Sequence, residues 1–220
     1  MTVDPDRLRT ELERACEDAG LDSRAWVVWI VDAVRPAGTT PIAYLQPAGV
    51  VRPNTVLVFR AVGSERVRPH HLTTHRLAIW RELSGLPDAA LGPMLRHELE
   101  HARRWERSGT AFYEADERLR ASVGRSGYAQ LPTEREANAA AAAYARRTLS
   151  APQLAELRDC GEFADLLAGE PAPADVVAAT LALLGEKAMP APAMSRVRPQ
   201  TWPSGPVGGG PMVEVVSGRS

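Results

Sequence analysis

The sequence has 220 residues, enough for one compact domain with a hydrophobic core or for such a domain followed by a tail. Its composition, 45% hydrophobic and 24% charged, is that of an ordinary globular protein and excludes a fibrous or fully disordered chain. The 26 basic and 27 acidic residues give a net charge of -1, which argues against nucleic acid as a partner.

Two features of the sequence bear on localisation. The longest apolar run, from Ala25 to Val31, is much shorter than the roughly 20 residues of a membrane-spanning helix. The first residues include Asp4 and Asp6, whereas a secretory signal would be basic and then apolar. The sequence therefore predicts a cytoplasmic protein that has no membrane partner.

The first third of the chain predicts a helix followed by strands. Apolar residues recur at helical spacing between Pro5 and Gly20, which predicts a first helix over residues 4–20. Three β-prone segments between Pro and Gly breakers predict strands, at residues 25–34, 42–45 and 54–62. A short helix is expected at residues 73–83, before the breakers that follow it.

The rest of the domain predicts only helices. The strongest helical pattern starts at Leu91 and is expected to end at Ser108–Gly109. An alanine-rich helix is expected over residues 133–147, with Thr133 as the N-cap and Glu136 completing a capping box. Two further helices are expected, at residues 153–167 and 174–187.

The composition shifts to Pro, Gly, Ser and Arg beyond Met189, which predicts a disordered tail over residues 189–220 after a domain of residues 1–188. The order of a helix, a few strands and then only helices indicates an α+β domain. Its sheet is expected to be small and antiparallel or mixed, because alternating βαβ units are missing from the pattern.

The segment His97-Glu98-Leu99-Glu100-His101 has the pattern HExxH. Two histidines four residues apart project from one face of a helix, so both imidazoles can bind one metal ion. Imidazole nitrogens suit Zn²⁺, which in catalytic sites takes three protein ligands and leaves a fourth position open. The sequence therefore predicts a zinc site at His97 and His101 that needs a third ligand from elsewhere in the chain.

Several acidic residues are candidates for this third ligand. Glu134 shares one face of the alanine-rich helix with Asn138, whose amide can orient an imidazole through its second ring nitrogen. Glu136 lies about 200° around that helix from Glu134, so the two cannot act together. Glu114 and Asp116 follow the HExxH segment as rivals. Glu134 is the predicted ligand, and Glu114 is the alternative.

A reading without metal accounts for the same residues differently. The two histidines would then lie on a solvated helix face among charged neighbours, namely Arg96, Glu100, Arg103 and Arg104, and Glu134 would be a charge favoured at a helix start. A metzincin site is excluded, because Arg104 and Arg107 stand where that class has Gly and His. A second histidine cluster can supply a ligand or a donor but is interpreted as surface residues: His70, His71 and His75.

Together, HELEH at residues 97–101 and EREANAAAAAYA at residues 134–145 resemble the zinc site of ImmA/IrrE-type metallopeptidases, which are compact relatives of the gluzincins. The resemblance implies a small zincin-like domain in which a short mixed sheet packs on an active-site helix and a glutamate helix. It also implies that His97, His101 and Glu134 bind zinc, that Glu98 is the catalytic base, and that Asn138 supports the site.

A zinc site of this kind predicts a hydrolase that cleaves peptide bonds in a protein or peptide substrate, and the resemblance implies a specific regulatory protein as that substrate. Spacing alone does not choose between Glu98 and Glu100 as the base, whereas the resemblance implies Glu98. A donor for the developing negative charge is expected from the second histidine cluster or from a tyrosine, of which Tyr113, Tyr128 and Tyr144 are candidates.

Two other classes of protein fit the same sequence. One is a catalytically inactive interaction domain that zinc stabilises, and the other is a metal-free helical binding protein. The metal content of the purified protein separates the last class from the other two.

Overall fold

The computed structural model describes residues 1–34, 43–46, 75–83, 85–168, 171–185 and 212–217. Six α-helices lie within these residues: α1 (Pro5–Ala19), α2 (Leu91–Tyr128), α3 (Pro132–Thr148), α4 (Ala151–Asp159), α5 (Gly161–Ala168) and α6 (Val176–Leu183). Four strands accompany them: β1 (Trp26–Val34), β2 (Ala43–Gln46), β3 (His75–Glu82) and β4 (Met212–Ser217). No helix within the described ranges has both the length and the apolar character that crossing a bilayer requires.

The four strands form one sheet in the order β2-β3-β1-β4. β1 pairs in parallel with β3 and with β4, and the short β2 pairs antiparallel with β3. Alternate residues of the two central strands are buried, as the two-residue period of a strand requires, and they are Trp26, Val28, Ile30, Leu77 and Ile79. One hydrophobic core joins this face of the sheet to the helices.

The first helix forms as its signals predict. Asp4 caps α1 by accepting hydrogen bonds from the backbone amides of Asp6 and Arg7. Gly20 ends the helix in the left-handed conformation, with φ of 69°. The buried face of α1 includes Leu8 and Leu12, which belong to the common core.

The structure corrects the sequence prediction at β3. A helix was expected over residues 73–83, but His75–Glu82 is a strand at the centre of the sheet. The segment does alternate, since Leu77 and Ile79 are buried on one face, and pairing with β1 supplies the hydrogen bonds that a single-sequence pattern does not show. The predicted strand at 54–62 lies outside the described residues, and β2 is within one residue of the strand expected at 42–45.

The C-terminal residues Met212–Ser217 form β4, although the sequence predicted a disordered tail from residue 189. The run Val213 to Val216 is β-prone, and it pairs with β1 from Val28 to Val31. The Pro- and Gly-rich residues around this run are typical of a disordered tail, which is why no strand was predicted there. The sheet therefore uses residues that are distant in sequence from its other strands.

The structure also corrects the end of the HExxH helix. The helix was expected to stop at Ser108–Gly109, but α2 continues to Tyr128. Gly109 has φ of 77°, a left-handed value that interrupts the regular helical backbone. The rings of Trp105 and Tyr113, one on each side of Gly109, are only 4.6 Å apart, so the two halves of α2 fold towards each other.

The later helices are shorter than the sequence predicted. The helix expected over residues 153–167 is divided at Cys160 into α4 and α5. Ser150 and Gln153 form a capping box at the start of α4, so the helix begins earlier than expected. The helix expected over residues 174–187 is α6, with Asp175 as its N-cap.

Candidate metal centre

His97 and His101 lie one turn apart on the first half of α2, and their Nε2 atoms are 3.1 Å apart. The ring of His101 stacks on the ring of Trp105, with a centroid distance of 5.7 Å. The ring of His97 meets the ring of His101 edge to face, with a centroid distance of 4.8 Å. His101 is 5% exposed. Both imidazoles therefore project from one face of the helix, as the HExxH spacing predicted.

Glu134 brings its carboxylate to the same point from α3. Its Oε2 atom lies 3.3 Å from Nε2 of His97, and its Oε1 atom lies 3.2 Å from Nε2 of His101. One ligand atom from each of the three residues lies within 4.8 Å of the others, so the three could hold a metal ion. We call His97, His101 and Glu134 the metal group. Two imidazole nitrogens and a carboxylate oxygen are the donor set that Zn²⁺ takes in open sites.

The start of α3 differs from the predicted capping box. Leu131 is the N-cap and Pro132 occupies the first turn, where a missing amide proton has no cost. The hydroxyl of Thr133 instead donates to Oδ1 of Asp116 at 2.7 Å. Glu136 turns away from the metal group, as predicted, and forms an ion pair with Arg104.

The carboxyl group of Glu134 is kept in its charged form by the side chains around it. Burial alone would raise its pKa, but the charges of His101 and Arg120 and hydrogen bonds from the two histidines hold that pKa well below its ordinary range. Burial would likewise lower the pKa of His97, yet its contact with Glu134 outweighs burial and raises that pKa. The Nε2 atoms of both histidines therefore face the charged carboxylate of Glu134.

Nδ1 of His97 is buried and has no hydrogen-bond partner among the described residues. The sequence predicted that Asn138 would orient one of the imidazoles, but no hydrogen bond of Asn138 is found in the described part of the chain. Asn138 is half-buried on α3. The expected support of the imidazole by this amide is therefore not formed in the structure.

The two glutamates inside the HExxH motif have different surroundings. Glu100 is 2% exposed and is bound by Arg96 at 2.7 Å and by Arg103 at 2.6 Å. No hydrogen bond or ion pair engages Glu98 within the described ranges, and burial raises its pKa although the charges of His97 and His101 oppose this. Glu98 is thus the glutamate whose carboxylate stays available beside the metal group.

The burial of Arg96 and Glu100 also contradicts the reading of this segment as a solvated face. Arg96 is 5% exposed, and its Nε atom donates to Asp18 of α1 at 2.8 Å. The charged residues around the histidines are therefore tied to the rest of the fold and do not form a stripe open to solvent.

The rival ligands do not reach the metal group. Glu114 is exposed on the second half of α2. Asp116 is fully buried, but its carboxylate is engaged by Thr133 and by Arg120. Of the second histidine cluster, His70 and His71 lie outside the described residues, and His75 begins β3.

Among the candidate tyrosines, Tyr128 lies at the group. Tyr128 is 43% exposed as a whole, but its hydroxyl is hydrogen-bonded by Arg120, and desolvation at that hydroxyl and the negative charge of Glu134 raise its pKa. Tyr113 is 5% exposed and packs against Trp105. Tyr144 lies beside Gly92, in a cleft lined by residues of α1 and the start of α2.

Arg120 is the residue that sequence reasoning missed. Its Nη1 atom donates to Oε1 of Glu134 at 2.5 Å, its Nε atom donates to Asp116 at 2.6 Å, and its Nη2 atom donates to Thr133 at 3.1 Å. The spacing of Asp116 and Arg120, four residues apart, is the only signal that the sequence contains. That spacing indicates a helical ion pair and says nothing about Glu134.

Comparison with known proteins finds no matching family model, no similar curated protein and no similar solved structure.

Proposed function

We propose that this chain is a zinc-dependent peptidase with a zincin-like domain, related to the ImmA/IrrE-type metallopeptidases that its motifs resemble. One observation carries the proposal: the Nε2 atoms of His97 and His101 and the carboxylate of Glu134 converge within 4.8 Å. The donor set fits Zn²⁺, and the Nε2 atoms of both imidazoles face the carboxylate of Glu134.

His97, His101 and Glu134 would hold the ion, and three ligands leave a position for substrate and water. When bound, a zinc ion supplies a Lewis acid that polarises a peptide carbonyl and makes water more acidic. Of the three residues that would hold the ion, only Glu134 supplies a negative charge, so the set would leave part of the charge of a divalent cation uncompensated.

Glu98 is the proposed general base. Its carboxylate is free of ion pairs in the described part of the chain, and burial raises its pKa above the ordinary value, which makes it a better proton acceptor. It would accept a proton from the attacking water and pass that proton to the nitrogen of the departing amine. Glu100 cannot take this role because Arg96 and Arg103 hold its carboxylate.

A test uses the full chain with zinc and a broad peptide library. We expect about one zinc per chain, and we expect His97→Ala to abolish both binding and cleavage. Glu98→Gln is expected to retain zinc and to lose cleavage, whereas Glu114→Gln, at an exposed site on the same helix, retains both. Unchanged cleavage by Glu98→Gln would refute the proposed mechanism.

The alternative function is an inactive interaction domain that zinc stabilises. It is favoured by the position of the group, because an ion would join α2 to the first turn of α3 and so contribute to folding without turnover. Zinc that raises the melting temperature while the library stays uncut on every wild-type preparation would support this alternative against the peptidase.

A further inference from the structure

Arg120 contacts only one of the two carboxylate oxygens of Glu134. Nη1 donates to Oε1, the oxygen that lies 3.2 Å from His101. Oε2 faces His97 at 3.3 Å and has no hydrogen bond from Arg120. The two oxygens of the proposed ligand are therefore in different chemical environments.

The guanidinium itself is held in a fixed position. Asp116, which is fully buried, accepts a hydrogen bond from Nε, and Thr133 accepts one from Nη2. Thr133 also donates to Asp116, so the three side chains form a closed set of hydrogen bonds. Asp116 offsets only part of the positive charge of Arg120, and these hydrogen bonds hold the guanidinium in place beside Glu134.

We infer that Arg120 is a positioning residue that reserves Oε1 of Glu134 for itself and leaves Oε2 as the oxygen offered to a metal ion. This inference rests on the metal group of the proposed function. A cation bound through both oxygens would share Oε1 with the guanidinium charge, and the repulsion between two buried cations opposes that arrangement. Binding through one oxygen keeps the positive charges apart.

Arg120→Lys tests this inference. Lysine keeps the charge but lacks the planar fork that reaches Asp116, Thr133 and Glu134 together, so Glu134 loses its fixed orientation. We expect Zn²⁺ affinity, measured by competition with a chromophoric chelator, to fall by about 10- to 100-fold. With Co²⁺ in place of Zn²⁺, we expect the visible absorption to weaken, because a released carboxylate can bind through both oxygens and raise the coordination number.

Arg104→Lys is the matched control. Arg104 lies on the same helix and binds Glu136, a glutamate two positions further along α3, so it makes the same kind of bridge away from the metal group. Its variant is expected to keep the wild-type affinity for Zn²⁺ and the wild-type Co²⁺ spectrum. If these bridges only hold α2 and α3 together, Arg104→Lys and Arg120→Lys should lower the Zn²⁺ affinity equally, and that result would overturn the inference.

Thr133→Val gives a second measurement if Arg120→Lys fails to fold by circular dichroism. It removes only the hydroxyl that Arg120 and Asp116 use, and we expect a smaller change in the same direction. Wild-type metal affinity and a wild-type Co²⁺ spectrum in the folded variants would overturn the inference, and so would a wild-type chain that binds no Co²⁺. If the variants behave as expected but the wild type cuts no peptide, the role of Arg120 stands and the peptidase proposal fails.

Discussion

His101 and Arg120 both contact Oε1 of Glu134, although they lie on opposite sides of Gly109 in the same helix. A straight helix would separate their backbones by about 28 Å, more than the two side chains can span. The fold-back at Gly109 is therefore what gives the proposed metal group its positively charged neighbour.

Gly109→Ala is expected to destabilise the protein. Gly109 has φ of 77°, and no atom lies within 4 Å of an added Cβ, so the cost comes from the left-handed backbone alone. We expect a loss of about 1–2 kcal/mol in the free energy of unfolding, measured with urea. Gly161→Ala is the control, because Gly161 also has open space but no positive φ, and it should be neutral or stabilising.

Removal of metal should lower the melting temperature. If the three proposed ligands bind Zn²⁺ only in the folded chain, free zinc at 100 times its Kd adds about 2.7 kcal/mol to the stability. A thermal melt with and without chelator measures this difference. The melting temperature of His97→Ala should be the same with and without chelator. A wild-type melting temperature that chelator does not change would contradict the metal site.

Tyr128→Phe should slow peptide cleavage without loss of zinc. The hydroxyl of Tyr128 accepts a hydrogen bond from Arg120 next to Glu134, so its own proton can be donated to the oxygen that gains negative charge during hydrolysis. We expect kcat to fall by about 100-fold, as for loss of one such donor. Tyr144→Phe, in the cleft beside Gly92, should leave kcat unchanged, and equal effects of both variants would speak against this role.

Asp18→Asn should reduce stability in a pH-dependent way. Burial alone would raise the pKa of Asp18, but hydrogen bonds from Arg96 and Arg147 outweigh it and lower that pKa. Such a carboxyl stabilises the fold above its unfolded pKa of about 3.9 and loses this contribution as the pH falls through the lower folded value. We expect a loss of about 1–2 kcal/mol at pH 7.

Chemical denaturation of both proteins from pH 7 down to pH 3 measures this effect. The difference between wild type and Asp18→Asn should stay constant down to about pH 4 and then shrink. Asp6→Asn is the control, because Asp6 pairs with Arg9 on the surface and its side chain is 89% exposed. If this difference in the free energy of unfolding grows as the pH falls, the pKa of Asp18 is not lowered in the folded protein.

The sequence predicts the part of the site that depends on local spacing. His97 and His101 lie together because one helical turn places them so, and Glu134 was predicted from the helix face that it shares with Asn138 and from the resemblance of its motif. Arg120 could not be predicted, because its contact with Glu134 needs the reversal at Gly109, which the sequence pattern indicates as an end of the helix. The spacing of Asp116 and Arg120 indicates an ion pair within one helix, and it does not indicate that Arg120 also contacts Glu134.

The fold shows the same division. α1 was predictable because Pro5 and Gly20 mark its ends, whereas β3 was taken for a helix and β4 for part of a tail. Both strands are stabilised by pairing with β1, and no local pattern encodes a parallel partner that is distant along the chain.

The metal group and the sheet differ in how far apart their parts lie along the chain. All three proposed ligands and Arg120 fall between residues 97 and 134, whereas β1 at the centre of the sheet needs a strand that begins at Met212. Contacts of low sequence separation form sooner during folding than parallel strand pairs do. The helical reversal can thus capture an ion while the sheet is still incomplete, and amide exchange during refolding should protect α2 and α3 before β1.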